Sequence, residues 1–107
     1  MSIENTKVID GLAYDDENKR ICLLLADHLD WKDEYKHLML LQEKLNAYAA
    51  FVQNKQYEQQ FQKEEITSIL IEIIFKYDIS EKVEQFLQVA QDTFCELGII
   101  IECHIDN

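Results

Sequence analysis

The chain has 107 residues and a formal net charge of −11, because 21 Asp and Glu side chains outnumber 10 Lys and Arg side chains. Its length is typical of one domain, which we expect to cover residues 1–107. The scarcity of basic residues argues against binding to nucleic acid or to an anionic membrane, since Lys and Arg recognise both. The longest apolar run, residues 21–26, is too short to span a bilayer, and residues 1–10 lack the pattern of a signal peptide. A cytoplasmic protein is therefore expected.

The first half of the chain predicts two strands followed by a helix. Residues 7–14 alternate loosely and residues 19–27 are apolar on both faces, so the polar residues between them are predicted to close a hairpin. Two apolar faces indicate a central position for the second strand, or a strand that is covered on both sides. Apolar spacings of three and four predict a helix over 31–54, with Asp30 or Asp33 as its N-cap. The buried stripe of this helix is expected to contain Leu38, Leu41, Leu45, Tyr48 and Val52.

The second half predicts a strand, a helix and a final strand. Residues 66–77 carry β-branched and aromatic side chains on one face, and the polar residues 54–65 before them are predicted to form a loop. Ser80 is a suitable N-cap for a helix over 81–97, and residues 99–105 form the last strand. The order β-β-α-β-α-β predicts a two-layer α+β sandwich, in which a four-stranded, mainly antiparallel sheet carries both helices on one face. The alternative places the helices on opposite faces, and the pattern leaves the strand order open.

Three runs of residues resemble a known family. They are Val8-Ile9-Asp10-Gly11, then Asp27-His28-Leu29 with Trp31, and then His37-Leu38 with Leu41-Gln42-Glu43-Lys44-Leu45-Asn46, Tyr48 and Phe51. The pattern is similar to that of a family of small bacterial proteins classed as a domain of unknown function, and the likeness covers nearly the whole chain. The resemblance implies a bacterial, cytosolic protein of one domain. It implies no activity and no site residues.

The densest group of candidate metal ligands lies just before the first helix and on its first turns. Carboxylate and imidazole groups together can hold a divalent metal, but the spacing matches neither HExxH nor an EF-hand loop. The alternative is an acidic helix start with capping side chains. The candidate ligands are Asp27, His28, Glu34 and His37, with Asp30 and Asp33 nearby.

A second candidate cluster is predicted on one face of the sheet. Glu72 and Glu102 each lie among Ile residues, and they would project side by side if their strands are neighbours. Paired carboxylates can perform general acid–base chemistry, and His104 would join them on that face. The alternative is a solvated face on which Glu72 and Lys76 interact. Nucleophilic catalysis by a thiol is not expected, because the cysteines occupy positions typical of small apolar side chains, namely Cys22, Cys95 and Cys103.

A second apolar stripe on the first helix is the feature most relevant to function. At about 100° per residue, Leu40, Ala47 and Phe51 lie nearly opposite the core stripe, with Met39 and Lys44 beside them. A helix that covers a sheet needs only one apolar face, so the second stripe requires an explanation. The two explanations are packing under the loop that follows the helix and an interface with a second chain.

We therefore expect a non-catalytic protein without a cofactor that works by binding another protein. The partner is either a second copy, giving a homodimer, or a different protein. The acidic surface favours a basic partner through faster encounter, and an inhibitory or immunity-type role against a basic nuclease would fit it. The alternative is a metal- or small-molecule-binding enzyme that uses one of the two carboxylate and histidine clusters.

Overall fold

The computed structural model describes residues 3–59, 61 and 65–106. The strands and helices follow the predicted order β-β-α-β-α-β, with one short 3₁₀ turn after the first helix. Within the described residues, no helix is long and apolar enough to cross a membrane. The elements are β1 (Gly11–Asp15), β2 (Arg20–Asp27), α1 (Glu34–Gln53), the 3₁₀ turn (Gln56–Gln59), β3 (Ser68–Phe75), α2 (Glu81–Cys95) and β4 (Ile99–Ile105).

The sheet is mixed, which corrects the prediction of a mainly antiparallel sheet. Its strands lie in the order β1-β2-β3-β4, and only β1 and β2 pair in antiparallel fashion. The pairs β2–β3 and β3–β4 are parallel. Parallel neighbours need a crossover connection, and α1 and α2 supply the two crossovers. Because both crossovers step across the sheet in the same direction, right-handed connections place the two helices on the same face.

The two faces of this sheet have different surroundings. Burial alternates strictly along β2, and one set of alternate residues in β2 and β3 shares a hydrophobic core with both helices. We call this side the helix face and the opposite side the open face. The core includes Ile21, Leu23, Leu25, Ile69, Ile71, Ile73 and Phe75 from the sheet, and Leu41, Leu45, Tyr48, Val52, Val83, Leu87 and Phe94 from the helices.

Local signals fix the helix ends close to the predicted positions. The Asp33 side chain caps α1 by accepting the backbone N–H of Lys36 at 3.1 Å, and the Ser80 hydroxyl caps α2 by accepting that of Val83 at 3.4 Å. After α2, Gly98 has a φ of +76°, a conformation that glycine adopts without the steric penalty of a Cβ. The chain can therefore turn directly from α2 into β4.

Candidate functional site

A buried ion pair joins the end of β2 to α1. The Nε2 of His37 lies 2.7 and 2.6 Å from the two carboxylate oxygens of Asp27, and both side chains are at most 2% exposed. The Nδ1 of His37 lies 3.0 Å from the backbone carbonyl oxygen of Asp30. A carbonyl oxygen can only accept a hydrogen bond, so Nδ1 of His37 donates to Asp30. Nε2 and the Asp27 carboxyl group share the other hydrogen bond, so both ring nitrogens have a partner inside the protein.

Trp31 covers this ion pair from the loop between β2 and α1. Its indole stacks on the His37 ring, with centroids 3.5 Å apart and an interplanar angle of 13°. The Leu29 backbone N–H donates to the Asp27 carboxylate at 3.2 Å. Two stacked aromatic rings attract each other and exclude water from the pair beneath them. The cluster therefore fastens the loop to β2 and α1, and it leaves neither His37 nitrogen available to a metal or a substrate.

A second buried ion pair joins the residue before β1 to α1. The Lys44 ammonium donates to the Asp10 carboxylate at 2.8 Å, and both side chains are fully buried. Lys44 also donates to the backbone carbonyl of Asn5 at 3.3 Å. The other carboxylate oxygen of Asp10 accepts the backbone N–H of Ala26 at 2.9 Å. These contacts hold the segment before β1 between α1 and the end of β2.

Tyr48 extends the second cluster by one turn of α1. Its hydroxyl donates to the carbonyl oxygen of Leu24 at 2.5 Å and accepts the backbone N–H of Asp10 at 3.0 Å. Burial raises the pKa of the Tyr48 phenol well above its ordinary value. The hydroxyl therefore stays protonated and links the N–H of Asp10, the residue before β1, to the carbonyl of Leu24, which belongs to the last residue pair of the β1–β2 ladder.

The two clusters account for much of the pattern on which the family resemblance rests. Their six side chains all lie in the three runs of that pattern: Asp10, Asp27, Trp31, His37, Lys44 and Tyr48. No sequence pattern indicates directly that side chains so far apart along the chain would pair. One signal was present for Lys44, which is three residues after Leu41 and four before Tyr48, a spacing that places it beside the core stripe.

The candidate metal ligands do not converge. Asp27 and His37 bind each other, whereas the exposed His28 lies with its Nε2 3.8 Å from the Glu4 carboxylate. Glu34 accepts a hydrogen bond from the Ser80 hydroxyl at 2.7 Å and so links the starts of the two helices. In the described part of the chain, no group of three or more His, Cys, Asp or Glu side chains could hold a metal ion.

A cavity of about 240 Å³ lies beside the Asp27–His37 pair. Both ring nitrogens of His37, which lines it, already have partners, so the buried pair presents no free polar atom to a molecule in the cavity. The remaining charged groups belong to exposed side chains of both signs. The cavity is lined by Glu4, Leu29, Asp30, Lys32, Asp33, Lys36, His37 and Leu40.

The second stripe of α1 is largely engaged within the molecule. Leu40 and Phe51 are half-buried and pack against the core, and Phe51 contacts Tyr57 of the 3₁₀ turn with ring centroids 6.4 Å apart. Lys44 is buried in the ion pair with Asp10, so it does not lie on an exposed stripe as the sequence suggested. Ala47 is half-buried, and Met39, at 49% exposed, is the most accessible of the predicted interface residues.

The segment before β1 also covers α1. Ile3 is fully buried in the hydrophobic core, and the Asn5 carbonyl accepts a hydrogen bond from Lys44. The segment before β1 therefore packs on the helix layer. Residues 3–9 form turns and irregular structure, so residues 7–9 do not belong to the first strand, although their loose alternation predicted that they would.

The predicted carboxylate cluster does form on the open face. Glu72 and Glu102 are directly opposite each other in the register of β3 and β4, which fulfils the condition that their strands are neighbours. The Nε2 of His104 lies 3.7 Å from the Glu102 carboxylate. Lys76 does not join them, because its ammonium lies 5.7 Å from the centre of the Tyr77 ring. The cluster is exposed along β4 and half-buried at Glu72.

Apolar side chains occupy much of the rest of the open face, beside the polar residues Asp15, Arg20 and Ser68. We call these apolar side chains the apolar patch, and all of them lie outside the hydrophobic core that the helices share with the sheet. Leu70, at its centre, is 2% exposed, whereas Ile100, near β4, is 43% exposed. The patch consists of Ala13, Cys22, Leu24, Ala26, Leu70, Ile74 and Ile100.

The thiols show no sign of nucleophilic activation. All three cysteines are free. Burial raises the pKa of Cys22, and it raises the pKa of Cys103 to about 11. A raised pKa disfavours the thiolate, which is the reactive form. Cys22 is half-buried, as expected for a small apolar side chain, whereas Cys95 and Cys103 are exposed and do not fill the core as the sequence predicted.

One comparison with known proteins gives a match. The model of a family of unknown function, DUF6572, matches residues 1–107. No curated protein and no solved structure matches the chain.

Proposed function

Because this chain belongs to the family of unknown function DUF6572, we propose its function from its geometry: it is a non-catalytic protein that works by binding another protein. The observation that carries this proposal is the apolar patch on the open face. In a two-layer α+β protein the side of the sheet without helices meets water, and its side chains are expected to be polar. Here Leu24, Ile74 and Ile100 occupy it instead, outside the core.

The chemistry of the buried clusters supports a non-catalytic role. Asp27 and His37 resemble the carboxylate–imidazole pairs of hydrolytic enzymes only in composition, since both ring nitrogens are hydrogen-bonded to groups inside the protein. Lys44 is neutralised by Asp10 in the same way. These groups stabilise the fold, whereas a general base needs an accessible atom within hydrogen-bond reach of a substrate.

The open face replaces the second stripe of α1 as the proposed binding surface. The partner is a different protein or a second copy, and the protein acts in the cytoplasm, as the sequence analysis expects. A role in which binding inhibits the partner agrees with a small acidic protein, because such a protein can block a basic surface by occupying it.

Site-specific photo-crosslinking in cells tests the proposal. A benzoylphenylalanine at position 100 places the reactive group on the apolar patch. The matched control is the same group at Val89, which is 64% exposed on α2, in the helix layer. We expect a discrete adduct from position 100 and none from position 89. Equal labelling from both positions, or no adduct from position 100 in a folded protein, would refute a binding role for the open face.

A further inference from the structure

Resting on the proposed function, we infer the chemical class of the partner: the open face docks a basic protein, which places one or more cationic side chains against Glu72 and Glu102. The apolar patch supplies the contact area. The two carboxylates supply the charge that selects the partner.

Glu72 lies within the apolar patch, between Leu70 and Ile74 on β3, and Glu102 lies beside it on β4. In the cross-strand row that contains them, Leu24 of β2 is directly opposite Glu72, and Glu72 is directly opposite Glu102. The next row towards the start of β3 is apolar, with Leu70 opposite Ile100. A molecule that covers the patch must therefore also cover the two carboxylates.

Glu72 and Glu102 form an unfavourable pair in the free protein. Like charges that are directly opposite on neighbouring strands repel each other. His104 lies 3.7 Å from Glu102, and across the described residues Glu72 has no basic side chain within 4.0 Å. On the same face Arg20 is already paired with Asp15, with its Nε 3.3 Å from the Asp15 carboxylate. A cation from outside the molecule would relieve the repulsion.

Charge also decides between the two kinds of partner. Two copies of this chain each carry a net charge of −11, and pairing their open faces would bring four carboxylates together beside the apolar patches. A basic protein would instead gain the attraction of both carboxylates and of the acidic molecule as a whole. A planar guanidinium can bridge two carboxylates, so arginine is the best-suited contact residue.

The experiment extends the crosslinking assay to the identity and the charge of the adduct. We expect the protein crosslinked from position 100 to be a different chain with a basic contact surface. With that protein purified, association is then measured in 50 and 500 mM NaCl. We expect the association rate to fall at least about tenfold at the higher salt concentration, because screening weakens steering.

Two double variants with the same change in charge locate the effect. Glu72→Gln with Glu102→Gln should weaken binding by about tenfold or more and reduce its salt dependence. Glu43→Gln with Glu96→Gln removes two exposed carboxylates from α1 and from the end of α2, and it should change binding less than about threefold. Equal effects of the two variants would overturn the proposed role of Glu72 and Glu102.

The remaining outcomes separate this inference from the proposed function. An adduct between two copies of this chain, or with an acidic protein, would overturn the basic partner and leave protein binding by the open face intact. The absence of any adduct from position 100 would defeat the proposed function itself. Circular dichroism of each variant ensures that the comparison is made between folded proteins.

Discussion

The two faces of the sheet differ in how their charged side chains are paired. On the helix face, Asp10, Asp27, His37 and Lys44 are buried, and each has an internal partner of opposite charge. On the open face, Glu72 lies beside a second carboxylate and next to apolar side chains. The paired charges of the helix face contribute to folding. The carboxylates of the open face can still attract a cationic group of another molecule. The difference indicates that stability and binding depend on separate sides of one sheet.

The largest effect is expected from Lys44→Met, which removes the buried cation and leaves the Asp10 carboxylate without compensation. Breaking a buried ion pair on one side typically costs about 3–5 kcal/mol. Urea unfolding measures the loss, and Asp10→Asn in the same chain should restore part of it. A loss below about 1 kcal/mol would show that the helix face does not depend on this pair.

The next effect concerns the second stripe of α1. From sequence alone, polar substitutions at Leu40 and Phe51 would weaken association and leave the fold intact. Because both side chains pack against the core, we now expect Leu40→Ser with Phe51→Ser to lower the free energy of unfolding by about 2–4 kcal/mol.

Thermal and urea unfolding check this expectation against Met39→Ser. Met39 is 49% exposed on the same helix, and its replacement should change stability by less than about 0.5 kcal/mol. If the Leu40 and Phe51 double variant were stable but impaired in association, the binding surface would lie on α1. That result would contradict the assignment of stability to the helix face and of binding to the open face.

A smaller effect is expected at alkaline pH, through Tyr48. Burial raises its pKa in the folded protein, so the unfolded chain loses the phenolic proton first. This contribution to stability is complete below about pH 10, the ordinary value for tyrosine, and is lost as the pH rises towards the folded pKa. Urea midpoints between pH 8 and pH 11 measure the loss, which one group can drive by at most about 1.4 kcal/mol per pH unit.

The control for this pH dependence is Tyr48→Phe, which removes the titrating group and retains the ring. Its stability should be lower at neutral pH, because the hydroxyl links Asp10 and Leu24. Its decline above pH 10 should be shallower than that of the original chain. Parallel curves for the two proteins would mean that other groups dominate.

The smallest effect should have the opposite sign. Glu72→Gln removes the repulsion between directly opposite carboxylates, so we expect the free energy of unfolding to rise by about 0.2–1 kcal/mol. Urea unfolding at low salt measures it, because screening by salt reduces the gain. A destabilised Glu72→Gln protein would show that this carboxylate already has a favourable role in the free molecule.

Local sequence patterns predicted the strands and helices of the fold. They did not predict which strands pair in parallel, because that pairing joins residues far apart in the sequence. The order of elements, the central position of β2 and the Ser80 cap depend on residues close in sequence, and the structure confirms them. The parallel pairing of β2 with β3 depends on α1 carrying the chain back to the edge of the sheet from which β2 started. Hydrophobic periodicity does not encode that path. For the same reason, the sequence predicted that Glu72 and Glu102 lie side by side only if their two strands are neighbours in the sheet.

The candidate sites were predicted unevenly for a related reason. The sequence singled out Asp27 and His37, but it could not show that Asp30 occupies the second ring nitrogen. A lysine on an amphipathic helix is normally exposed, so Lys44 was assigned to the surface. Its burial depends on Asp10, thirty-four residues away, and no periodic signal connects the two.

The Tyr48 bridge has a consequence for the motions of the β1–β2 hairpin. A hairpin ordinarily has one closed end, at its turn, and one end from which its strands separate. Here the second end is also closed, because Tyr48 and the Asp10 carboxylate connect the chain before β1 to Leu24 and Ala26. Although β1 is an edge strand, it has no free end from which to peel. The β1 amide protons that are hydrogen-bonded to β2 should therefore exchange with solvent only when α1 itself detaches, so that edge strand and helix open as a single unit.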